Sequence, residues 1–226
     1  MSQAQSNRPV PVDVSCYVPC FNEERTVCAN LLRLAGVLSE FTPRYEIVVV
    51  DDASTDETAR TVTAMDHPRI RLERNRNGPS CRENLGRSLR SALSPVVMFI
   101  DADLPMRLDS IHAVLASVRA GTDIAIGSRY APAARAVRTP GRRFLSHLYN
   151  WILQNMLDSA ILDHQCGLKA FKRDVLHDLL RDLHDMEHPT RGWFWDAELL
   201  IRAKWAGYKI EEVPVDWAYR NDSRVL

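Results

Sequence analysis

The sequence places two acids, Asp101 and Asp103, two residues apart at the end of an apolar run. That run, Val96–Ile100, predicts a buried strand. Two carboxylates at a strand end can both reach one hard cation, and Mg²⁺ or Mn²⁺ prefers such oxygen ligands beside phosphate. Two solvated acids that cap the next helix would give the same pattern, so the motif alone leaves both interpretations open.

A second group of oxygen-bearing side chains follows another predicted strand. Asp51, Asp52, Ser54 and Asp56 occupy its strand-to-helix turn. An acid in this position can accept hydrogen bonds from the base or the ribose of a nucleoside. Ser54 and Asp56 could instead cap the helix, and Ser54 with Glu57 forms a capping-box pattern. The glycine-rich dinucleotide motif and the P-loop pattern are both missing from the sequence.

A basic tract lies in the second half of the chain, with no Asp or Glu between Tyr130 and Leu157. Its members are Arg129, Arg135, Arg138, Arg142 and Arg143. Such a tract is either a solvated face or an anion site, because guanidinium forks suit phosphate. A helix predicted from about Arg142 to Leu157 carries an apolar stripe that includes Trp151. Core packing is the favoured explanation of this stripe, and a helix lying on a membrane surface is the alternative.

Two further segments contain residues of catalytic type. Residues 163–169 read Asp-His-Gln-Cys-Gly-Leu-Lys, and their glycine, Gly167, suggests a close approach of the backbone. Asp196 and Glu198 lie at the start of a predicted helix, where capping alone could explain Asp196. Three histidines lack metal-ligand spacing and are expected at the surface: His164, His184 and His188.

Short apolar runs alternate with longer helical patterns along the chain. This order predicts an α/β fold with a mostly parallel central sheet and helices on both faces. Ligands of such sheets bind beyond the carboxyl ends of the strands, which is where both acid groups fall. We expect a flexible lead-in over residues 1–11 and a single domain over residues 12–226, since no linker divides the rest of the chain.

Composition excludes several classes of protein. The 226 residues are 46% hydrophobic and 26% charged, with 29 basic and 29 acidic side chains, which argues against disorder and against bulk electrostatic binding of nucleic acid. Five scattered cysteines favour a reduced compartment with buried thiols over a disulfide framework. No apolar run approaches the roughly 18 residues of a membrane span, and no secretory signal opens the chain.

Six short motifs in a fixed order resemble those of the family-two glycosyltransferases of GT-A fold, a Rossmann-like α/β fold. They are Pro19-Cys-Phe-Asn-Glu23, Val50-Asp-Asp-Ala-Ser54, Asp101-Ala-Asp103, Gly127-Ser-Arg-Tyr130, Asp163-His-Gln-Cys-Gly-Leu-Lys169 and Trp195-Asp-Ala-Glu-Leu-Leu200. The similarity covers about Val12 to Arg224. Within this family, the motifs most resemble the branch that transfers a hexose to dolichyl or another polyprenyl phosphate. The fifth motif is most similar to that of the dolichyl-phosphate glucosyltransferases.

The resemblance implies a role for each matching residue. The donor nucleotide would be held by Pro19, Phe21, Glu23, Asp51 and Asp52, and Mg²⁺ or Mn²⁺ on its diphosphate would be bound by Asp101 and Asp103. The acceptor phosphate would be bound by Arg129, Arg142, Arg143, Gln165, Lys169 and Arg220. The catalytic residues would be Asp163, Asp196 and Arg129. The donor half of the domain would then span about 12–128 and the acceptor half about 129–226.

Three departures from the family pattern bear on the substrate. Phe21 replaces a tyrosine, Pro79 and Ser80 replace a more glycine-rich loop, and Pro105 stands where mannosyl enzymes have a metal-contacting glutamine. The last leaves the third metal ligand open and favours UDP-glucose as donor, with GDP-mannose second. The resemblance also implies action at the cytoplasmic face of a membrane, by a peripheral protein or by the soluble domain of a membrane-anchored one.

The expected mechanism follows from charge. A lipid phosphate is largely ionised at neutral pH because its second pKa is about 6, so its attack needs no strong general base. We therefore expect inversion by single displacement, with Asp163 or Asp196 orienting groups or supplying a field. Two alternatives stay open: a transferase of the same fold that acts on a hydroxyl with Asp196 as base, and a binder of nucleotide sugars without catalysis.

Overall fold

The computed structural model describes residues 12–75, 78–80, 82–137, 140–183, 192 and 194–218. The strands within them are β1 (Val14–Cys20), β2 (Tyr45–Asp52), β3 (Ile70–Asn75), β4 (Val96–Ile100), β5 (Ile124–Ser128), β6 (Arg135–Val137), β7 (Leu168–Lys172), β8 (Ile210–Pro214) and β9 (Asp216–Ala218). The helices are α1 (Val27–Phe41), α2 (Thr58–Ala64), α3 (Glu83–Leu89), α4 (Asp109–Arg119), α5 (Pro140–Met156), α6 (Arg173–Asp182) and α7 (Phe194–Trp205).

Seven of the strands form one sheet in the order β3-β2-β1-β4-β7-β5-β8. β7 runs antiparallel to its neighbours β4 and β5, and the other neighbouring pairs of this sheet are parallel. The predicted α/β class with a mostly parallel sheet is therefore confirmed. The run predicted as one last strand, 210–217, is divided at Val215 into β8 and β9, and β9 pairs with β6 in a small second sheet.

β2 shows why helices cover both faces of the sheet. Ile47 and Val49 lie in one apolar cluster with α1 and α4, whereas Val48 and Val50 lie in another with α3, α6 and α7. All four side chains are fully buried. Alternate residues of a strand point to opposite faces, so a continuous apolar run needs cover on both, as the pattern predicted.

The end of α7 follows its predicted turn chemistry. Gly207 has a φ of +81°, in the left-handed region that favours glycine. Its N–H donates to the carbonyl of Lys204 at 3.0 Å, and the N–H of Tyr208 donates to the carbonyl of Ala203 at 3.0 Å. These paired bonds form a Schellman motif, which confirms Gly207 as the residue just after the helix.

The capping box predicted at Ser54 and Glu57 was wrong. α2 begins at Thr58, whose N–H donates to Asp56 Oδ1 at 2.9 Å. The hydroxyl oxygen of Ser54 instead accepts the N–H of Asn22 at 3.0 Å. The local sequence pattern predicted that the Ser54 side chain caps α2, but this side chain binds the neighbouring turn instead.

α5 has two different faces. Asn150 and Leu153 are buried, and Leu153 packs against Ala197 and Ile201 of α7. The side chains of the other face are apolar and exposed: Phe144, Leu145, Leu148, Trp151, Ile152 and Met156. Core packing, the favoured explanation of this stripe, was therefore wrong for these side chains. Among the described residues, no helix combines the length and apolar character needed to cross a bilayer.

Candidate active site

The two predicted acid groups meet at one edge of the sheet. Asp51 and Asp52 end β2, and Asp101 follows β4 directly. β1 lies between these strands and is parallel to both, so their carboxyl ends lie side by side. Neighbouring strands are about 4.8 Å apart, which puts the two acid groups about 10 Å apart along that edge.

The turns after β1 and β2 are locked together around Asn22. Asn22 has a φ of +58°, and its Oδ1 accepts the N–H groups of Thr55 at 2.8 Å and of Asp56 at 3.3 Å. Its own N–H donates to Ser54, as described above. These bonds satisfy the polar backbone of both turns and fix the surroundings of Asp51.

Asp51 and Asp52 have different partners. Asp51 is fully buried, and its Oδ2 has no hydrogen bond to any described residue, although Arg74 Nε lies 3.3 Å away in an ion pair. Asp52 accepts the N–H of Ser80 at 3.0 Å and the side-chain amide of Asn84 at 2.5 Å. Asp52 therefore anchors the start of α3, while Asp51 retains an acceptor oxygen.

Asp101 is positioned by the segment that precedes β7. Its N–H donates to the carbonyl of Gly167 at 3.0 Å. A Cβ on Gly167 would lie 1.8 Å from Asp101 Oδ2, so only glycine fits there. Beyond Asp101 the chain turns sharply, and the N–H of Leu104 donates to the backbone carbonyl of Asp101 at 3.2 Å. The close backbone approach predicted at Gly167 is confirmed.

Four charged side chains form a connected group beside this edge, here called the charge cluster: Arg82, Asp101, Lys169 and Asp196. Arg82 donates through Nη2 to Asp101 Oδ1 at 2.8 Å and through Nε to Asp196 Oδ2 at 3.0 Å. Lys169 donates through Nζ to Asp196 Oδ1 at 2.8 Å. Arg82, Lys169 and Asp196 are all buried.

These contacts shift the pKa values of Asp196 and Arg82 in opposite directions. Burial opposes ionisation of Asp196, but Arg82 and Lys169 outweigh it and hold the pKa of the carboxyl below its ordinary value of 3.8. Burial also opposes the charge on Arg82, and Asp196 and Asp101 outweigh it and raise the pKa of the guanidinium. Asp196 is therefore an anion between two cations at neutral pH and a poor acceptor of protons.

Asp163 is held by a single arginine, Arg129. Nε and Nη2 of Arg129 donate to the two carboxylate oxygens at 2.6 Å each, and its backbone N–H donates to Oδ2 at 2.9 Å. Burial opposes the charge on Asp163, but Arg129 outweighs it and lowers the pKa of the carboxyl. The Arg129 side chain is directed at Asp163 and is only 5% exposed. Its direct contact with an acceptor phosphate stays a prediction.

His164 is fully buried, so its expected surface position was wrong. Its Nδ1 lies 2.8 Å from Asn150 Oδ1 of α5, and its Nε2 lies 2.7 Å from Ser159 Oγ. Burial is the main cause that lowers the pKa of the ring to about 4, so the ring is neutral at physiological pH. It connects α5 to the segment that carries Asp163.

The other residues predicted to bind the donor nucleotide lie at the same edge of the sheet. Pro19 is half-buried near the end of β1, and the Phe21 side chain is exposed. Glu23 is half-buried and accepts the Thr26 hydroxyl at 2.9 Å. Gln165, predicted for the acceptor, is half-buried beside Asp163.

Several predicted residues fall outside the described part of the chain. Arg142 and Arg143 belong to α5, but their side chains are outside the described part of the chain. The whole of the lead-in 1–11 is also outside, as are Arg138, His184, His188 and Arg220.

Arg82 is the site residue that sequence reasoning missed. Its partners Asp101 and Asp196 are 19 and 114 positions away, so no local motif marks it. Its place in the chain gives a weak signal, because Arg82 is the N-cap residue of α3. A cation is unfavourable at the positive end of a helix dipole, so a buried arginine there needs carboxylate partners.

Asp101 and Asp103 suit a divalent cation that also binds a diphosphate. The Asp101 side chain is 31% exposed, and Asp103 is half-buried two residues later. Within the described residues, no group of three or more His, Cys, Asp or Glu side chains could hold a metal ion alone. Mg²⁺ commonly binds one or two carboxylates and completes its shell with water and substrate phosphates, so a pair of acids is sufficient.

The chain has the GT-A fold, as predicted. Glucosyl-3-phosphoglycerate synthase from Mycobacterium tuberculosis, solved with Mn²⁺, UDP and glucosyl-3-phosphoglycerate, superposes with a TM-score of 0.67 at 19% identity. The alignment covers 94% of this chain and 73% of that chain. At this identity the likeness shows the fold alone.

Residues 15–180 match the family Glycosyl transferase family 2, and the chain belongs to this family. Glycosyltransferase AglD from Haloferax volcanii is 33% identical over 95% of this chain and 34% of its own length. Dolichyl-phosphate beta-glucosyltransferase ALG5C from Trichomonas vaginalis is 31% identical over 96% of this chain and 67% of its own. Polyprenol monophosphomannose synthase from Mycolicibacterium smegmatis is 30% identical over 90% and 76%. The predicted resemblance to the polyprenyl-phosphate branch is confirmed, although the chain spans only about a third of AglD.

Proposed function

We propose that this protein transfers a hexose from a nucleotide diphosphate sugar to a polyprenyl or dolichyl phosphate, with inversion at the anomeric carbon. The names of its relatives support a lipid phosphate acceptor, since they include a dolichyl-phosphate glucosyltransferase and a polyprenol monophosphomannose synthase. The observation that carries the proposal is the state of two buried acids, Asp163 and Asp196, which are both ion-paired.

The paired acids favour a phosphate over a hydroxyl as the attacking group. A hydroxyl must lose a proton to a nearby base as it attacks. Asp196, the candidate base for that alternative, is enclosed by Arg82 and Lys169, and its pKa is lowered. A phosphate arrives already ionised, because its second pKa is about 6. A site whose two buried acids, Asp163 and Asp196, are both held in ion pairs is thus suited to an acceptor that carries its own charge.

The donor half, about 12–128, contains the proposed nucleotide site. Asp51 Oδ2 is a buried acceptor with no hydrogen bond to a described residue, and it suits a ring N–H of a base. Uracil and guanine both have such a group, so this contact supports either donor. We propose UDP-glucose, with GDP-mannose second, on the ground of Pro105 and of the glucosyltransferase relatives.

Asp101 and Asp103 would hold Mg²⁺ or Mn²⁺ on the diphosphate. The cation, when bound, stabilises the negative charge that grows on the leaving oxygen. Asp101 supplies its carboxylate from a fixed position, because Gly167 and Arg82 hold it on two sides. The protein therefore presents this ligand in one orientation before the donor arrives.

In the acceptor half, about 129–226, we propose that Arg129 and Lys169, the predicted ligands of the acceptor phosphate, also act through the acids they hold. Both cations are buried in ion pairs, and both keep a carboxylate of the reaction centre in place. Arg142, Arg143, Arg220 and Gln165 remain the proposed direct contacts of the acceptor phosphate.

The exposed face of α5 supports action at a membrane surface, as a peripheral protein or as a domain of an anchored one. It carries large apolar side chains such as Phe144 and Trp151, which are 66% and 59% exposed. The sequence from Ala131 to Leu157 contains no acid, so the same helix does not repel anionic lipid. A helix with this composition suits the boundary between headgroups and acyl chains.

Transfer to matched lipids tests the proposed function. Labelled UDP-glucose, UDP-galactose, UDP-N-acetylglucosamine and GDP-mannose are each offered with Mg²⁺ or Mn²⁺ and either polyprenyl phosphate or the polyprenol of equal length. We expect label from UDP-glucose in the lipid phase with the phosphate acceptor and none with the polyprenol.

Two variants control this experiment. Asp101→Asn combined with Asp103→Asn should abolish transfer, whereas Asp109→Asn, at an exposed acid of α4, should leave it unchanged. Label on the polyprenol would support the hydroxyl alternative. Absence of a lipid product with all four donors would refute the lipid phosphate acceptor.

A further inference from the structure

Arg82 forms an ion pair with Asp101, the carboxylate that the proposed function assigns to a metal ion. Its Nη2 lies 2.8 Å from Asp101 Oδ1, and its side chain is only 8% exposed. The same guanidinium is held on its other side by Asp196, at 3.0 Å from Nε. Arg82 is thus a fixed cation beside Asp101 and cannot be displaced freely into solvent.

A fixed cation next to a metal ligand has two physical effects. It repels an incoming divalent ion, and it takes one lone-pair direction of the carboxylate that would otherwise face the ion. Both effects weaken metal binding to the protein alone. A nucleoside diphosphate brings negative charge to the same place, so it offsets the repulsion from Arg82 and completes the ligand shell.

We propose that Arg82 couples metal binding to donor binding: it keeps cation affinity low in the free protein and lets the cation bind well only together with the nucleoside diphosphate. This inference rests on the proposed function for its choice of metal ligands. By linkage, nucleotide and cation then raise each other's affinity by the same factor.

Arg82 also acts as a positioning residue for Asp196. The planar fork of arginine spans both carboxylates at once, and a lysine of similar length has only one point of charge. Arg82→Lys therefore keeps the positive charge near Asp101 but loses the double contact. This difference separates the electrostatic effect of Arg82 from its geometric one.

Calorimetric titration of Mn²⁺ into Arg82→Gln, with and without UDP, tests the coupling. We expect Mn²⁺ affinity of the free protein to rise by about thirtyfold, the size of one interaction between a unit charge and a divalent ion at about 4 Å in a water-like dielectric. The factor by which UDP raises Mn²⁺ affinity should fall by a similar amount. Arg82→Lys should keep wild-type Mn²⁺ affinity while its kcat falls.

Further variants keep the test decisive. Arg60→Gln removes an exposed arginine paired with Glu57, and we expect no change in Mn²⁺ affinity. If Arg82→Gln does not fold because Asp196 loses a partner, Arg82→Gln combined with Asp196→Asn is compared with Asp196→Asn alone, and the double variant should bind Mn²⁺ more tightly than that single variant. Mn²⁺ affinity equal to or below that of the reference protein, wild type or Asp196→Asn, would overturn the coupling.

The readout is independent of the acceptor. If the lipid phosphate acceptor is wrong, the titrations with Mn²⁺ and UDP still give a coupling factor for wild type and variant. If the coupling is wrong, transfer to lipid is still measurable in the wild type. The two failures are therefore distinguishable.

Discussion

Asp163 and Asp196 are both buried and both ionised, yet they differ in how far their networks of ion pairs extend. Asp163 is paired in a bidentate manner with Arg129 and also accepts the N–H of Gln165 at 3.3 Å, and among the described residues this pair has no ion pair with a further charged side chain. Asp196 is paired with Lys169 and with Arg82, and Arg82 extends to Asp101 at the edge proposed for the donor. Two acids with the same direction of pKa shift therefore have different connections, and we expect only Asp196 to transmit changes to the metal side.

The largest expected effect is on catalysis in Asp196→Asn. The amide cannot balance two buried cations, so Arg82 and Lys169 lose the carboxylate that orients them, and preorganised fields of this kind contribute about 10²–10³-fold to rates. We predict a fall in kcat of about that size at saturating donor and acceptor, measured by initial rates.

Asp163→Asn is the matched variant for this comparison. It leaves Arg129 buried without its acid, which typically destabilises a protein by about 3–5 kcal/mol. We expect a clear fall in unfolding free energy but a much smaller fall in kcat of the folded fraction. Equal losses of kcat in the two variants would break the distinction between the pair of Asp163 with Arg129 and the extended charge cluster.

A smaller effect sharpens the comparison through stability and pH. His164, next to Asp163, is neutral when folded above about pH 4, whereas the unfolded chain binds a proton below the ordinary pKa of 6.5. Between these values the unfolded state holds more protons, so unfolding free energy falls as pH falls from 6.5 to about 4, by about 3 kcal/mol. Urea unfolding at several pH values measures this slope.

His164→Gln should flatten that slope, and His147→Gln, at an exposed position of α5, should retain it. The two acids act in another window. Their folded pKa values lie below 3.8, so the stability they confer is complete above that value and is lost as pH falls below it. A slope that persists unchanged in His164→Gln would show that another group titrates between pH 4 and 6.5.

The sequence predicts those features of the fold that depend on local pattern. The burial of β2 on both faces follows from its continuous apolar run, and the left-handed Gly207 follows from backbone sterics at a single position. Gly167 was also predictable as a point of close approach, although the sequence does not say that Asp101 is the neighbour. Acids at strand ends converge because parallel strands share a carboxyl edge.

The remaining features depend on contacts between distant segments. Arg82 meets Asp101 and Asp196 only in the folded sheet, and its own neighbours in sequence carry no motif. The stripe of α5 was recognised as apolar, but periodicity does not say whether an apolar face meets the core or remains exposed. Ser54 does not cap α2 as predicted, because its hydroxyl oxygen accepts the N–H of Asn22 from another turn.

The pH dependence of kcat/KM for polyprenyl phosphate tests most directly whether the acceptor brings its own charge. We predict a rise through a single ionisation near pH 6, the second ionisation of the acceptor phosphate, with the same midpoint and a lower plateau in Asp196→Asn. A rising limb that disappears in Asp196→Asn would identify Asp196 as the base and contradict a site built for an acceptor that is already ionised.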